Sequence, residues 1–201
     1  MYRLYDYLPS GNGYKVRLLS SFLGIKYEYI EVDITKGESR TAEFLGINPN
    51  GRTPVLVTPE GPLPESNAIL VFLSEGSPFL PDDRWQRAQV MQWLFFEQYS
   101  HEPFIATSRY FLKLSGDSGN FREEIKQRRP GGLNALTLMD QHLADRPFMT
   151  GDGLTIADIA LYAYTHVAPE GGFPLEPYPH IKRWLERIAG QPGYIGIQDR
   201  P

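Results

Sequence analysis

Strand-like and helix-like runs alternate through residue 75 of this chain, and beyond that point no convincing strand recurs. That change of pattern constrains the fold more than any single residue. An alternating segment builds a small mixed α/β unit, and a strandless segment of similar length builds a helical one. The opening sets the theme. Residues 1 to 8 are apolar and aromatic-rich, Ser10-Gly11-Asn12-Gly13 is small and polar, and Val16, Leu19, Phe22 and Leu23 recur at helical spacing. The order reads as strand over 1–8, turn, and helix over 14–24, ended by Gly24. It sets the Ser10 hydroxyl and several backbone N–H groups at a helix start, where negative charge is held or created.

The alternation continues with a strand over 27–32 and a short helix within 35–47 that stops near Asn48-Pro49. Thr53-Pro54-Val55-Leu56-Val57-Thr58 is a β run, Pro59-Glu60-Gly61-Pro62 a reversal, and Leu63-Pro64 a short edge strand. Glu65-Ser66-Asn67 opens a helix striped by Ile69, Leu70, Phe72 and Leu73. These features assign residues 1–75 to an α/β domain, 76–82 to a linker and 83–201 to an all-helical domain. Within the latter, helical patterns cover 83–112, interrupted near Pro103, then 121–143, where Pro130 threatens the first part, then 155–167 and 178–189.

Composition narrows the chemistry. With 201 residues, 41% hydrophobic and 22% charged, the chain can bury a sizeable core. A net charge of -4 without a large basic cluster argues against nucleic acid as the main partner. The chain contains no cysteine, which excludes disulfides, thiolate metal sites and a cysteine nucleophile. His101, His142, His166 and His180 show no metal spacing, so no metal is expected. Neither a signal-peptide pattern nor an 18-residue apolar run is visible; the expected location is the cytoplasm, with no membrane contact.

Five places carry the residues of interest. Ser10, Asn12 and Tyr14 lie at the first turn, with no histidine near them in sequence to form a Ser-His-Asp relay. Pro54 precedes a β run and marks an edge or a turn. Glu65 and Ser66 open a helix: Ser66 reads as a cap, and the same exposed N-terminus can hold a ligand carboxylate while Glu65 pairs with an ammonium. Thr155-Ile156-Ala157-Asp158 fits a capping box, a folding device, so Asp158 is not assigned to catalysis. Tyr99, Arg109, Tyr110 and Lys113 share one helical neighbourhood that could wall a cleft.

Taken in order, the Ser10 turn, Arg52-Thr53-Pro54-Val55-Leu56 after Asn48-Pro49, Glu65-Ser66-Asn67-Ala68-Ile69, and Thr155-Ile156-Ala157-Asp158 resemble the cytosolic glutathione transferase family. The likeness spans nearly the whole chain. It implies a thioredoxin-like N-terminal domain followed by an all-α C-terminal domain, glutathione as co-substrate, a small electrophile as second substrate, a role in detoxification, and a homodimer. By position it also implies that Thr53–Pro54 is cis, that Val55 offers its backbone to the cysteinyl part of glutathione, and that Glu65 and Ser66 hold the γ-glutamyl group. Arg52, Lys36 and Asn50 are candidates for the glycine carboxylate. Ser10 stands where serine-type members place the hydroxyl that hydrogen-bonds the glutathione sulfur, and Asn12 could be a second donor. Tyr7, Phe104, Arg109 and Tyr110 become candidates for the second-substrate wall. The turn resembles serine-type classes and, distantly, the maleylacetoacetate isomerase branch. Gly11 and Asn12 stand where that branch has serine and cysteine. The resemblance thus implies a transferase, with a glutathione-dependent disulfide reductase or peroxidase and a non-catalytic glutathione-binding module as alternatives.

Overall fold

The structure is a computed structural model that describes residues 1–115 and 119–200. The chain divides into two compact units. The first comprises Met1–Glu75 together with the tail from Pro192 onward, and the second comprises Gly76–Gln191.

The first unit is a four-stranded sheet in the order β2-β1-β3-β4. Strand β1 (Tyr2–Asp6) runs parallel to β2 (Tyr27–Glu31), with Tyr2 opposite Tyr27 and Asp6 opposite Glu31. It runs antiparallel to β3 (Val55–Thr58), with Tyr5 opposite Val55. Strand β4 (Gly61–Pro64) pairs with β3 and carries Pro62 and Pro64, which cannot donate to a ladder and therefore suit an edge. Helices α1 (Gly11–Leu23) and α3 (Ser66–Ser74) pack on each other, and Leu4, Leu18, Leu19, Leu56, Ile69 and Leu70 are buried between layers. Between β2 and β3 lie two 3-10 turns, Ile34–Lys36 and Glu38–Arg40, and a short α2 (Ala42–Ile47).

Helix α1 begins at Gly11, earlier than the apolar pattern predicts. The reason is Asp6 at the end of β1. Its carboxylate is fully buried, accepts the Tyr7 N–H at 2.7 Å and pairs with Arg17 Nε at 3.0 Å. A β-carbon on Gly13 would overlap this carboxylate, so the glycine is what lets the first turn of α1 close over it. Burial lifts the Asp6 carboxyl to about 7 against the pull of the Arg17 guanidinium. Arg17 also donates to Leu8 O at 2.6 Å, Ile197 O at 3.1 Å and Asp199 O at 3.2 Å.

Those last contacts correct the domain boundary. The sequence pattern assigns everything from residue 83 to the helical domain, yet the tail belongs to the first unit. Besides Arg17, Tyr14 Oη donates to Ile195 O at 2.6 Å and Ser21 Oγ to Gly193 O at 2.6 Å. Peptide carbonyls satisfied by side chains of α1 hold this segment without any regular structure of its own.

The second unit is helical: α4 (Arg84–Phe96), α5 (Glu102–Arg109), α6 (Arg122–His142), α7 (Ile156–Thr165) and α8 (Pro179–Ala189). The pattern over 83–112 is interrupted as Pro103 predicts, but by a widened π turn, Glu97–His101, rather than a simple kink. The Glu102 N–H reaches Glu97 O, five residues back, so that Pro103 falls near the start of α5 where a missing N–H costs least. Pro130 does not break α6. Immediately after it, Gly131 and Gly132 let the Phe104 and Phe173 rings press on the helix backbone, and this packing outweighs the lost hydrogen bond. The capping box forms as expected: Asp158 accepts the Thr155 N–H at 3.0 Å, and it also takes the Met149 N–H at 2.7 Å and Trp184 Nε1–H at 2.9 Å. No helix among the described residues is long and apolar enough to cross a membrane.

Gly13→Ala tests the constraint at Asp6. In an ordinary helix interior this change stabilises by about 1 kcal/mol. Here it must displace a buried ion pair, and a loss of about 3–5 kcal/mol in urea unfolding is expected. A stabilised variant would show that the pair does not fix the start of α1.

Candidate functional site

Ser10 is the residue before α1, with extended backbone (φ -74°, ψ 128°), and its side chain makes no cap hydrogen bond. A serine in this position ordinarily caps its own helix. Its N–H is used by Tyr7 O at 2.8 Å, and its carbonyl accepts the Tyr14 N–H at 3.0 Å, so the backbone is fixed while the hydroxyl is spared. The first N–H groups of α1 open at the same end of the helix, with the positive end of the helix dipole behind them.

Asn12 sits inside the first turn of α1, not in a loop ahead of it. Its Oδ1 accepts the Ser66 hydroxyl at 3.3 Å, which ties the start of α1 to the start of α3. Lys15, one turn further along the same face, is fully buried and donates from Nζ to Ser66 Oγ and Asn67 Oδ1, both at 3.3 Å. The structure therefore brings Asn12 and Ser66 together around an ammonium that the motifs did not single out. A signal was present: a lysine near the start of a helix opposes the helix dipole, and it interrupts an otherwise apolar stripe.

Glu65 precedes α3 with φ 70° and ψ 108°, and it is the only described non-glycine residue at positive φ. Such a backbone costs about 1–3 kcal/mol and is kept where surroundings or function demand it. Its side chain is exposed and caps nothing, while Ser66 beside it is buried. Together they present one exposed carboxylate and one helix N-terminus.

The Thr53–Pro54 bond is cis, directly before β3, and Pro54 and Val55 are buried. The approach to it is braced by Asn48, whose Nδ2 donates to Arg52 O at 2.8 Å while its Oδ1 accepts the Asn50 N–H at 3.1 Å. Arg40 Nη1 donates to Asn50 O at 3.1 Å and crowds Gly51, which lies at φ 63°. Arg52 itself points an exposed side chain outward. Lys36 is ion-paired with Asp33 at 2.9 Å, and the Thr35 hydroxyl first, then this ammonium, hold the Asp33 carboxyl down at about 2 by hydrogen bonding. Tyr7 is half-buried and lies in the same unit, just ahead of the Ser10 turn.

The other three candidates lie in the helical unit, each with work there. Phe104 packs on the Gly131 backbone of α6, and the Tyr110 ring meets Phe111 edge-on at 6.0 Å. Arg109 is buried, and its Nε donates to Glu170 at 2.7 Å. Within the helical unit the Arg109 guanidinium is thus enclosed and paired with a carboxylate that is itself 35% exposed.

The family model for the glutathione S-transferase N-terminal domain matches residues 1–75, and that for the C-terminal domain matches residues 91–192. The chain belongs to the glutathione S-transferase family. It is 30% identical to the disulfide-bond oxidoreductase YfcG of Escherichia coli, over 92% of this chain and 89% of that protein. It is 29% identical to Protein URE2 of Candida glabrata over 96% of this chain, and spans 66% of that protein's length. Among solved structures, a glutathione S-transferase from Pseudomonas fluorescens Pf-5 is 47% identical with a TM-score of 0.95, covering 98% of this chain and 99% of that one. Ure2p, solved in complex with glutathione, is 27% identical with a TM-score of 0.85, covering 96% and 90%. The observed thioredoxin-like sheet followed by a helical unit is the fold of this family.

The strained Glu65 backbone can be tested directly. Glu65→Gly is expected to be at least as stable as the parent, by up to about 1 kcal/mol, because glycine adopts positive φ freely. A clear loss of stability in denaturant would show that the Glu65 conformation carries no strain.

Proposed function

We propose that the protein is a glutathione transferase, in which the first unit binds glutathione and activates its sulfur for attack on a small electrophile. The observation that carries this reading is the uncapped Ser10 hydroxyl at the N-terminus of α1, in the same unit as the cis Pro54 turn and the Asn12–Lys15–Ser66 cluster. Glutathione presents one thiol, two carboxylates and an ammonium. The cluster answers this chemistry. Val55, following the cis bond, offers backbone groups to the cysteinyl peptide. Glu65 pairs with the γ-glutamyl ammonium, and the α3 N-terminus with Ser66 and the nearby Lys15 ammonium favours the adjoining carboxylate. Arg52, exposed beside Thr53, is the cation available to the glycine carboxylate.

In this scheme Ser10 acts as a hydrogen-bond donor and not as a nucleophile. A free thiol ionises near pH 8.5, and a donor at its sulfur with a helix dipole behind it stabilises the thiolate. The thiol proton leaves to solvent. The thiolate forms a carbon–sulfur bond and the leaving group departs with its electron pair. Asn12 accepts the Ser66 hydroxyl on its Oδ1, which joins the two helix starts, and any second donation to the sulfur comes from its Nδ2.

A second reading is glutathione-dependent disulfide reduction, favoured by the similarity to YfcG. Lacking cysteine, the chain supplies no thiol of its own. One glutathione thiolate would attack the disulfide and expel a thiolate, and a second would resolve the mixed disulfide, giving glutathione disulfide and two reduced thiols.

Ser10→Ala is the deciding variant. In thiolate absorbance followed against pH, the bound thiol of the parent is expected to ionise well below the free value, and that of the variant to move back towards about 8.5. An unchanged titration overturns the role of Ser10. Turnover of an activated aryl chloride supports the transferase; reduction of a small disulfide without conjugation establishes the second reading instead.

The protein is further proposed to be a homodimer. Phe72 in the first unit, and Trp85, Phe95 and Tyr99 in the helical unit, expose large apolar surfaces, with Trp85 and Phe95 each 71% accessible. Sedimentation should show a dimer for the parent and a monomer for Phe95→Glu; a monomeric parent removes the proposal.

A further inference from the structure

A polar cavity lies wholly within the helical unit. It has a volume of about 330 Å³ and is lined by the loop after α6, from Leu143 to Pro147, and by His180, Arg183 and Arg187 of α8. Helical spacing sets those three α8 side chains on one face, and Arg146 faces them from the loop.

The guanidinium groups are held in place, each through a single nitrogen. Arg187 Nη1 donates to Pro147 O at 2.6 Å, and its Cζ stands 5.7 Å from the centre of the Phe148 ring. Arg183 Nη2 lies 2.5 Å from His180 Nδ1. Arginine is always protonated, so it is the donor, and His180 accepts as the neutral imidazole with its proton on Nε2. Arg146 Nη1 donates to His142 O at 3.1 Å and to Asp145 at 2.7 Å. Each guanidinium therefore keeps most of its five N–H donors for another partner.

Charge points to the kind of partner. Three arginines against the one acid lining the cavity, Asp145, leave a local excess of two positive charges, in a chain whose net charge is -4. Like-charged guanidinium groups tethered around one opening repel, and a ligand that neutralises both excess charges relieves that repulsion. A phosphate monoester carries about -1.5 to -2 at neutral pH, with three acceptor oxygens that guanidinium forks match in pairs.

We propose that this cleft is a binding site for the phosphate group of a small phosphomonoester. His180 belongs to it as a positioning residue that orients Arg183, with its Nε2–H as a further donor. The proposal does not depend on the glutathione reading, since every residue in it lies between His142 and Arg187.

The test is calorimetric titration of the full chain with glycerol 3-phosphate at constant ionic strength, with inorganic phosphate and succinate as comparison ligands. Saturable binding of the monoester, at least as tight as inorganic phosphate and tighter than succinate, is expected. Arg183→Gln should weaken it by about tenfold or more, the scale of one charge-assisted contact. Arg187 also braces the loop through Pro147, so Arg183→Gln is the primary variant, and His180→Gln serves as a second. Both should keep the parent's thermal midpoint and glutathione affinity. Absence of saturable monoester binding overturns the proposal. So does tighter binding of inorganic phosphate or succinate, or an Arg183→Gln variant that binds as the parent does.

Discussion

The buried pair of Asp6 and Arg17 is the interaction on which the first unit depends. Asp6 ends β1, Arg17 lies on the second turn of α1, and Gly13 is the gap through which they meet. Removing two charges from water is costly, and this pair is retained with almost every donor committed: Arg17 serves Asp6, Leu8 O and two carbonyls of the tail. The consequence is positional. With α1 anchored at its first turns to the strand before it, Ser10 has no freedom to slide along the helix, and the turn between them is held at both ends. The tail belongs to the same network, so residues far along in sequence help to set the place where the helix starts.

A fixed helix start makes the functional arrangement possible. The start of α3 lies against the start of α1, joined through Asn12, Ser66 and Lys15. Two helix N-termini brought together concentrate positive potential in one small region, and the lysine adds a full charge to it. Such a region is poorly matched to itself and well matched to an anion. The positive φ at Glu65 belongs to the same logic, since it aims an acidic side chain outward at a helix start where a capping conformation would have been cheaper. Under the proposed reading, both irregularities are matched by one peptide ligand that carries carboxylates at its ends, an ammonium beside one of them, and a thiol between.

The legible parts of the sequence were those with local causes. Apolar runs gave β1 and β3, and Leu63-Pro64 marked the edge strand that β4 extends back to Gly61; Thr155 and Asp158 announced their cap. The start of α1 was not legible, because Gly11-Asn12-Gly13 has the composition of a loop and only the distant carboxylate of Asp6 makes it helical. Pro130 threatens the first part of α6 by pattern alone for the same reason: the rings that hold the helix around it, Phe104 and Phe173, are remote in sequence. The tail from Pro192 onward has no periodicity to read, its order coming from side chains of α1. Lys15 was hidden by a pattern that treats its position as one of many on a helix, although its charge at the positive end of the dipole was the available clue.

The arginines show how one side chain can be sorted by its surroundings. Arg17 and Arg109 are buried, and each meets a carboxylate, Asp6 or Glu170. Their charge is answered inside the fold, and their geometry serves packing. Arg183 and Arg187 are exposed and tethered by neutral acceptors, an imidazole nitrogen and a peptide carbonyl. Tethering reduces the rotamer entropy that a long side chain loses on binding, yet leaves the charge uncompensated. Enclosure with an acid and restraint by a neutral group thus have opposite meanings: the first closes an electrostatic account within the chain, and the second prepares a cation for something outside it. By that criterion the charge of Arg109 is answered within its own unit, whereas the arginines of α8, which no motif marked, keep theirs uncompensated, as the proposed phosphate site requires.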